Sequence, residues 1–180
     1  MPPEPGILPP DGAERLARMR LFVLDVDGTL TEGRIVYDDQ GRELQSFCVQ
    51  DGHGLVMVRK AGVALAWITG RGSAATERRA KELQVVELVC RSGPKGQVLE
   101  ELQERLGIRP EETLAMGDDV TDFELAGRAG LFIAPANARP EVLDHADYVC
   151  RASGGSGAVR EICDHILRAR GCFPEPPSGR

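Results

Sequence analysis

A short apolar segment that ends in two carboxylates constrains this chain more than any other feature. Residues 21–30 read LFVLDVDGTL, so a hydrophobic run leads directly to Asp25 and Asp27 and then to a glycine. Alternate residues of a strand point to the same side, and two carboxylates placed so repel each other unless a cation or a proton lies between them. The ends of parallel strands are where α/β folds bind ligands. The segment therefore predicts a buried strand that carries a site for a metal ion and a phosphate group.

The rest of the chain alternates between strand-like and helix-like segments, which favours a mostly parallel sheet flanked by helices. Strands are predicted at 21–26, 63–68, 85–90, 113–116 and 131–134, and helices at 53–62, 73–84, 95–106, 122–129 and 159–170. A β-hairpin is predicted between residues 35 and 49, with its turn before Gly41. Asp51 is interpreted as the N-cap of the helix that follows it. The expected fold class is thus α/β.

The length of the chain and the composition of its ends predict the domain organisation. A length of 180 residues suits one domain with a full hydrophobic core. Proline and glycine are dense at both ends, which predicts a disordered N-terminal extension over residues 1–18 and a flexible tail over residues 172–180. The folded domain is expected to span residues 19–171.

Composition argues against several classes of function. A net charge of −6 disfavours general nucleic-acid binding, which needs a basic face to neutralise phosphates. No apolar run approaches the roughly 20 residues of a membrane-spanning helix. The five cysteines are scattered and odd in number, which argues against a disulfide framework and against a zinc cluster. We therefore expect a cytoplasmic protein whose partners include neither nucleic acid nor a membrane.

Polar residues also follow three more of the predicted strands. They comprise, in order along the chain, Thr69, Gly70, Arg71, Lys95, Asp118, Asp119 and Asp122. Together with the first acid pair they bring a hydroxyl, an ammonium group and an acidic cluster to one edge of the sheet. This set suits phosphoryl transfer, in which cations neutralise the phosphate oxygens while an acid supplies the nucleophile.

The arrangement resembles the haloacid dehalogenase superfamily, which has a Rossmann-like α/β fold and four sequence motifs. The matching positions are, in order, residues 25–29, Thr69, Lys95, and residues 117–119 with Asp122. The resemblance implies that Asp25 is the nucleophile that accepts the phosphoryl group as an aspartyl-phosphate. It also implies that Asp27 is the general acid and base, which indicates a phosphatase or a phosphomutase.

The same resemblance implies the groups that hold the phosphate and the metal. Thr69 and Lys95 would bind the phosphoryl oxygens. Magnesium would be bound by Asp25, Asp118 and the main-chain carbonyl group of Asp27. Asp119 and Asp122 are expected to orient the waters around the metal.

The spacing of the motifs leaves no room for a cap domain over the site. About 40 residues separate the first and second motifs, and about 25 separate the second and third. The predicted hairpin and one helix occupy the first interval, and a helix and a strand occupy the second. An uncapped site is open to water, so we expect neighbouring subunits to complete it, in a tetramer formed through the hairpin flap.

Further stretches resemble the lidless, tetrameric phosphatases that release phosphate from 3-deoxy-D-manno-octulosonate 8-phosphate. These stretches are residues 31–35, 49–54, 68–71, 146–149 and 154–161. The resemblance implies that the substrate is a small phosphorylated acidic sugar and that Gly70 and Arg71 line its side of the site. It also implies a magnesium-dependent homotetramer.

Two alternatives stay open at the level of sequence. One is a phosphatase of a different sugar: enzymes that act on acylneuraminate or deaminoneuraminate 9-phosphate share the same motifs, so the motifs do not exclude these substrates or another small sugar phosphate. A non-catalytic assembly module with the same fold is the other alternative. Such a module would be expected to lose at least one of Asp25, Asp27, Lys95 and Asp118, and the chain retains all of them. The sequence therefore favours an enzyme.

Overall fold

The computed structural model describes residues 1–174 and confirms the α/β fold class with its predicted hairpin. The strands are, in chain order, β1 (Leu21–Leu24), β2 (Val36–Tyr37), β3 (Glu43–Leu44), β4 (Ala64–Thr69), β5 (Glu87–Cys90), β6 (Thr113–Met116), β7 (Leu131–Ala134) and β8 (Tyr148–Val149). Six of them form one sheet in the order β5-β4-β1-β6-β7-β8, with parallel pairing throughout. The other two, β2 and β3, form a separate antiparallel hairpin.

Helices cover both faces of the parallel sheet. They are α1 (Gly12–Arg18), α2 (Val49–Lys60), α3 (Ala74–Leu83), α4 (Lys95–Leu106), α5 (Phe123–Ala126), α6 (Pro140–His145) and α7 (Ala158–Ala169). Ser73 caps α3 by accepting the N–H of Thr76 at 3.1 Å, and α4 ends at Gly107 in the left-handed conformation. Among residues 1–174, no helix is both long enough and apolar enough to span a bilayer.

The central strand β1 contributes to two core layers. Phe22 and Leu24 pack among residues of α1, α2 and α7, whereas Leu21 and Val23 pack among residues of α4, α5 and α6. All four side chains are fully buried. Burial on both faces explains why this segment is continuously apolar rather than alternating. The polar end of β1 is therefore anchored by one of the most buried segments of the fold.

The sheet has one strand more than the sequence predicted, and two helices, α1 and α6, are also additional. Strand β8 extends the edge beside β7, and α6 precedes it. These elements have two and six residues, too few to show a periodic pattern in the sequence. The predicted helix at 122–129 is also shorter than expected, since a 3₁₀ turn occupies Val120–Asp122 and α5 ends at Ala126.

The structure differs from the predicted disorder of the N-terminal extension over residues 1–18. Residues Gly12–Arg18 form α1, which packs against α7 and buries Leu16 completely. The N–H of Gly6 donates to the carbonyl oxygen of Val149 at 2.9 Å, so the segment before α1 is also attached to the sheet edge. Apolar contact with α7 offsets the ordering entropy that composition alone suggested would prevail. The predicted flexible tail at 172–180 lies mostly outside the described residues, which end at Pro174.

The predicted hairpin and the helix after it have different bounds in the structure. The second hairpin strand ends at Leu44, and α2 begins at Val49 rather than at residue 53. Asp51 therefore lies inside α2, and its interpretation as the N-cap of that helix is wrong. Its buried carboxylate accepts the N–H groups of Gly157 (3.3 Å) and Arg160 (2.7 Å), so it caps α7 instead.

Candidate active site

Four strand ends meet in one cavity at the carboxyl edge of the sheet. The cavity has a volume of about 400 Å³ and is lined by residues that follow β1, β4, β5 and β6. The predicted site residues among its lining are Asp25, Asp27, Thr69, Gly70, Arg71, Lys95, Asp118, Asp119 and Asp122. The structure thus brings together residues that the chain separates by up to about a hundred positions. Parallel pairing explains this convergence, since every strand of such a sheet ends at the same edge.

The turn after β1 approaches the acidic loop after β6 closely. Gly28 has a φ of +105°, and a Cβ atom at this position would lie 2.1 Å from Oδ2 of Asp118. The next residue, Thr29, donates its hydroxyl to Oδ1 of Asp118 at 3.2 Å. Glycine is therefore required both by the backbone conformation and by the space that Asp118 occupies. Thr29 is a contact that the sequence did not assign to any role, although it belongs to the first motif.

Lys95 links two of the buried acids. It is the first residue of α4, and its Nζ lies 2.6 Å from Oδ1 of Asp25 and 2.6 Å from Oδ1 of Asp122. All three side chains are at least nine-tenths buried. Charge-assisted hydrogen bonds in such surroundings are short and strong, and they hold the ammonium group in one place.

Asp122 also organises the loop that carries Asp118. Its Oδ2 accepts the backbone N–H groups of Asp118 (3.0 Å) and Asp119 (3.1 Å). The carboxylate of Asp119 instead accepts the N–H of Val120 at 2.6 Å and is exposed to solvent. Asp122 is consequently a structural anchor of the loop as well as a charge in the site, whereas Asp119 caps the following 3₁₀ turn.

The crowding of carboxylates alters their acidity. Burial, followed by the neighbouring Asp122, raises the pKa of Asp25 to about 7, although Lys95 acts in the opposite direction. Burial and Asp122 likewise raise the pKa of Asp118 to about 7, against the hydrogen bond from Thr29. One lysine cannot offset three nearby acids, so this group lacks positive charge.

The acidic group has the composition of a site for a hard cation. Oxygen atoms of Asp25, Asp118 and Asp122 lie within 4.8 Å of one another. Mg²⁺ prefers carboxylate and carbonyl oxygens and retains some of its waters, and the open cavity beside the group leaves space for them. A divalent ion would also supply the missing positive charge. The residues therefore fit Mg²⁺.

Asp27 lies on the outer side of this group and has different partners. Its Oδ2 accepts the hydroxyl of Thr69 at 3.1 Å, and its Oδ1 accepts Nε2 of Gln45 at 3.1 Å. Thr69 in turn accepts the N–H of Arg71 at 3.1 Å. Both carboxylate oxygens are therefore held by neutral donors, so the side chain has a single defined orientation.

Arg71 extends along the mouth of the cavity. Its guanidinium group donates to Glu43 of the hairpin at 3.0 Å and remains partly exposed. Neither Glu43 nor Gln45 was singled out from the sequence. Their separation by one residue in a predicted strand was the available signal, because it places both side chains on one face.

This chain is similar in sequence to known hydrolases. A family model described as haloacid dehalogenase-like hydrolase matches residues 78–162. The 3-deoxy-D-manno-octulosonate 8-phosphate phosphatase of Salmonella typhimurium is 38% identical over 170 residues, which cover 94% of this chain and 90% of that protein.

Solved structures give the same relationship. The 3-deoxy-D-manno-octulosonate 8-phosphate phosphatase from Moraxella catarrhalis, in complex with magnesium, phosphate and a KDO molecule, matches with a TM-score of 0.87 and 38% identity over 89% of this chain and 92% of that one. The cobalt-bound enzyme from Haemophilus influenzae matches with a TM-score of 0.84 and 34% identity over 87% of this chain and 92% of that one. This chain therefore belongs to the 3-deoxy-D-manno-octulosonate 8-phosphate phosphatase family of haloacid dehalogenase-like hydrolases.

Proposed function

We propose that this protein is a Mg²⁺-dependent phosphatase that hydrolyses 3-deoxy-D-manno-octulosonate 8-phosphate to the free sugar acid and inorganic phosphate. The observation that carries the proposal is the single cavity in which Asp25, Asp27, Lys95 and Asp118 meet. Asp25 and Asp27 follow β1, Lys95 follows β5, and Asp118 follows β6. Phosphomonoester hydrolysis requires a nucleophile, a general acid and positive charge beside the phosphate, and this set can provide them with a bound metal ion. Relatives that are 38–39% identical over more than nine-tenths of the chain carry this activity in their names.

Asp25 is the nucleophile in this proposal. A carboxylate oxygen of Asp25 attacks phosphorus and forms a new P–O bond, while the bond from phosphorus to the sugar oxygen breaks and its electron pair goes to that oxygen. Asp27 protonates the departing oxygen as a general acid. The product of this half-reaction is the free sugar acid and an aspartyl-phosphate on Asp25.

The second half-reaction restores the enzyme. Asp27, now a carboxylate, removes a proton from a water molecule that attacks phosphorus. The P–O bond to Asp25 breaks, and its electron pair returns to the carboxylate. Inorganic phosphate leaves, and Asp27 holds the proton needed for the next cycle. Two displacements of lower barrier thereby replace one difficult displacement.

The remaining charged groups hold the phosphate and the metal. Asp25, Asp118 and the main-chain carbonyl group of Asp27 would hold Mg²⁺, while Asp122 supports the loop that carries Asp118. When bound, the ion offsets negative charge on the phosphoryl oxygens. Lys95 and the hydroxyl of Thr69, which also line the cavity, would bind phosphoryl oxygens as well. Asp119 is exposed at the rim of the cavity and contributes by orienting water there.

The sugar acid lies toward Gly70 and Arg71 in this proposal. Arg71 reaches the mouth of the cavity, where its guanidinium group can pair with a carboxylate of the substrate. Gly70 lacks a side chain, and no atom lies within 4 Å of where its Cβ would be, so it leaves room beside Arg71.

A homotetramer formed through the hairpin completes the site. Four apolar side chains of the hairpin are about half exposed, with exposed fractions of 49–61%: Ile35, Val36, Tyr37 and Leu44. Such a contiguous apolar patch beside an open cavity favours burial against other copies of the chain. All five cysteines are free, in keeping with a reducing cytoplasm.

Phosphate release from a panel of sugar phosphates tests the substrate. The panel contains the octulosonate 8-phosphate, acylneuraminate and deaminoneuraminate 9-phosphates, and ordinary hexose and pentose phosphates, each with and without Mg²⁺. We expect kcat/KM to be highest for the octulosonate 8-phosphate and activity to vanish with chelator. A higher value for either 9-phosphate would transfer the assignment to that sugar, and equal slow turnover of all members would contradict a dedicated substrate.

A further inference from the structure

The hairpin contributes a polar side chain to the general acid, which no motif predicted. Glu43 and Gln45 bond to Arg71 and Asp27, two residues of the cavity lining, whereas Leu44 between them is exposed. We propose that Gln45 is a positioning residue that holds Asp27 in the orientation needed for proton transfer. This inference rests on the proposed function, since it assigns a role within that reaction.

The amide group of Gln45 is itself held in one orientation. Its Oε1 accepts the hydroxyls of Ser73 at 2.7 Å and Thr76 at 2.6 Å. Ser73 already accepts the N–H of Thr76, so its own hydroxyl proton is free to donate. The amide oxygen therefore faces the N-terminus of α3, where the helix dipole also favours negative charge. Nε2 must then face Asp27, because the two ends of an amide are opposite in hydrogen-bonding character.

This orientation distinguishes the two oxygens of Asp27. Nε2 of Gln45 is a donor only, so it occupies Oδ1 whether Asp27 is ionised or protonated. A proton on Asp27 therefore resides on Oδ2. The hydroxyl of Thr69, which contacts Oδ2, can rotate onto a phosphoryl oxygen when substrate is bound. Gln45 thus directs the protonated oxygen toward the same space as the scissile bond.

The leaving group provides a measurement that a purely structural role of Gln45 would not affect. Phenolate is a poor leaving group whose departure is accelerated strongly by protonation, whereas p-nitrophenolate departs readily without it. The two esters are otherwise alike, since each has one aromatic ring bonded to one phosphate group. The ratio of kcat/KM for p-nitrophenyl phosphate to kcat/KM for phenyl phosphate therefore reports the general acid. Because kcat/KM covers the first displacement, later steps do not mask it.

We would measure this ratio in the full chain with Mg²⁺ for Gln45→Met and Thr76→Val. Gln45→Met preserves length and removes both hydrogen-bonding ends, so we expect the ratio to rise about tenfold, a fraction of what a general acid contributes. Thr76→Val removes one of the two donors to Oε1, so we expect a rise of about threefold. Gln97→Met is the matched control, since Gln97 is exposed on α4 and contacts Glu101; its ratio should equal that of the unaltered protein.

A second variant tests the inference if Gln45→Met alters folding. Gln45→Glu retains an oxygen that accepts the hydroxyls of Ser73 and Thr76 but places a carboxylate against Asp27. We expect its ratio to be high at about pH 8 and to fall toward that of the unaltered protein near pH 5, where the new carboxyl group can be protonated and donate. A ratio that does not change with pH would contradict the inference.

The failure of this inference can be told apart from failure of the proposed function. Equal losses on both esters, or no loss, in Gln45→Met would overturn the positioning role while leaving the phosphatase assignment intact. Turnover retained by Asp25→Asn would overturn the proposed mechanism itself. Neither aryl ester contains a sugar, so a wrong sugar assignment would leave the ratio unaffected.

Discussion

The inner and outer halves of the active site are stabilised by different kinds of interaction. The inner half consists of Asp25, Lys95, Asp118 and Asp122, which are largely buried and held by charge. The outer half, around Asp27, is held by neutral hydrogen-bond donors from β4 and the hairpin. Charge in a buried group is strong but needs a counter-ion, whereas neutral donors set direction at little electrostatic cost. We infer that the inner half binds the cation and the phosphate, while the outer half sets the orientation of Asp27.

Replacing Asp25, the proposed nucleophile, should have the largest effect. Asp25→Asn removes the group that forms the covalent bond, so we expect kcat to fall by a factor on the order of 10⁴ or more for every substrate. Circular dichroism should show a retained fold. Asp144→Asn, an exposed acid on α6, is the control and should keep full activity. A much smaller fall in kcat for Asp25→Asn would show that the inner half does not supply the nucleophile.

Removing the buried ammonium group of Lys95 is expected to lower both activity and stability. Lys95→Met leaves Asp25 and Asp122 without their 2.6 Å partner, and breaking a buried ion pair costs about 3–5 kcal/mol. We expect kcat to fall about 100-fold and the free energy of unfolding to decrease by about 3 kcal/mol in urea titrations. Lys60→Met at the exposed end of α2 should change neither quantity. An unaltered stability would contradict the view that charge holds the inner half together.

The raised pKa values of Asp25 and Asp118 predict a pH dependence of stability. Both are about 7 in the folded protein, against an ordinary value of 3.8, so the folded state binds more protons than the unfolded state between these limits. The free energy of unfolding contributed by these groups therefore falls as pH rises from about 4 to about 7, by a few kcal/mol.

Urea titrations at several pH values, with and without Mg²⁺, measure this dependence. Bound Mg²⁺ displaces the protons, so it should flatten the decrease. Asp118→Asn removes one of the two groups while other acids titrate as before, and the decrease without metal should be smaller in that variant. An identical slope in Asp118→Asn would show that the inner half is not protonated as inferred.

Replacing Arg71, at the mouth of the cavity, should have the smallest effect, and that effect should depend on the substrate. Arg71→Ala removes a guanidinium group at the mouth of the cavity, so we expect KM for the octulosonate 8-phosphate to rise about tenfold, the value of one charge-assisted hydrogen bond. KM for p-nitrophenyl phosphate, which lacks the sugar carboxylate, should stay nearly constant. Arg78→Ala on the exposed face of α3 is the control. An equal change in KM for both substrates would show that Arg71 does not recognise the sugar.

Local sequence patterns predicted the elements that hold the inner half. The run before Asp25 was recognisable because a strand buried on both faces is continuously apolar, and α4 was recognisable from its helical spacing and from Gly107. The short elements α6 and β8 were missed because two to six residues carry too little periodicity. The ordered helix α1 was missed because its stability comes from contact with α7, which composition does not reveal.

Asp51 illustrates how a tertiary contact can replace a local one. An aspartate just before a predicted helix is most simply its N-cap, yet this carboxylate caps α7, about a hundred residues further along the chain. The first backbone N–H groups of a helix have no acceptor within the helix. The packing of α2 against α7 places the carboxylate of Asp51 beside those of α7 and of the glycine loop before it. No pattern near residue 51 contains that information.

By itself, the sequence determined which side chains are available for chemistry and at which strand ends they lie, because hydrophobic periodicity and motif spacing are local properties of the chain. Only the tertiary structure decided how those side chains interact. It placed Lys95 between Asp25 and Asp122, pointed Asp122 at the loop of Asp118, and brought Gln45 to Asp27. The reason is physical: burial and distance between charges set their pKa values and hydrogen bonds, and both depend on how distant segments pack.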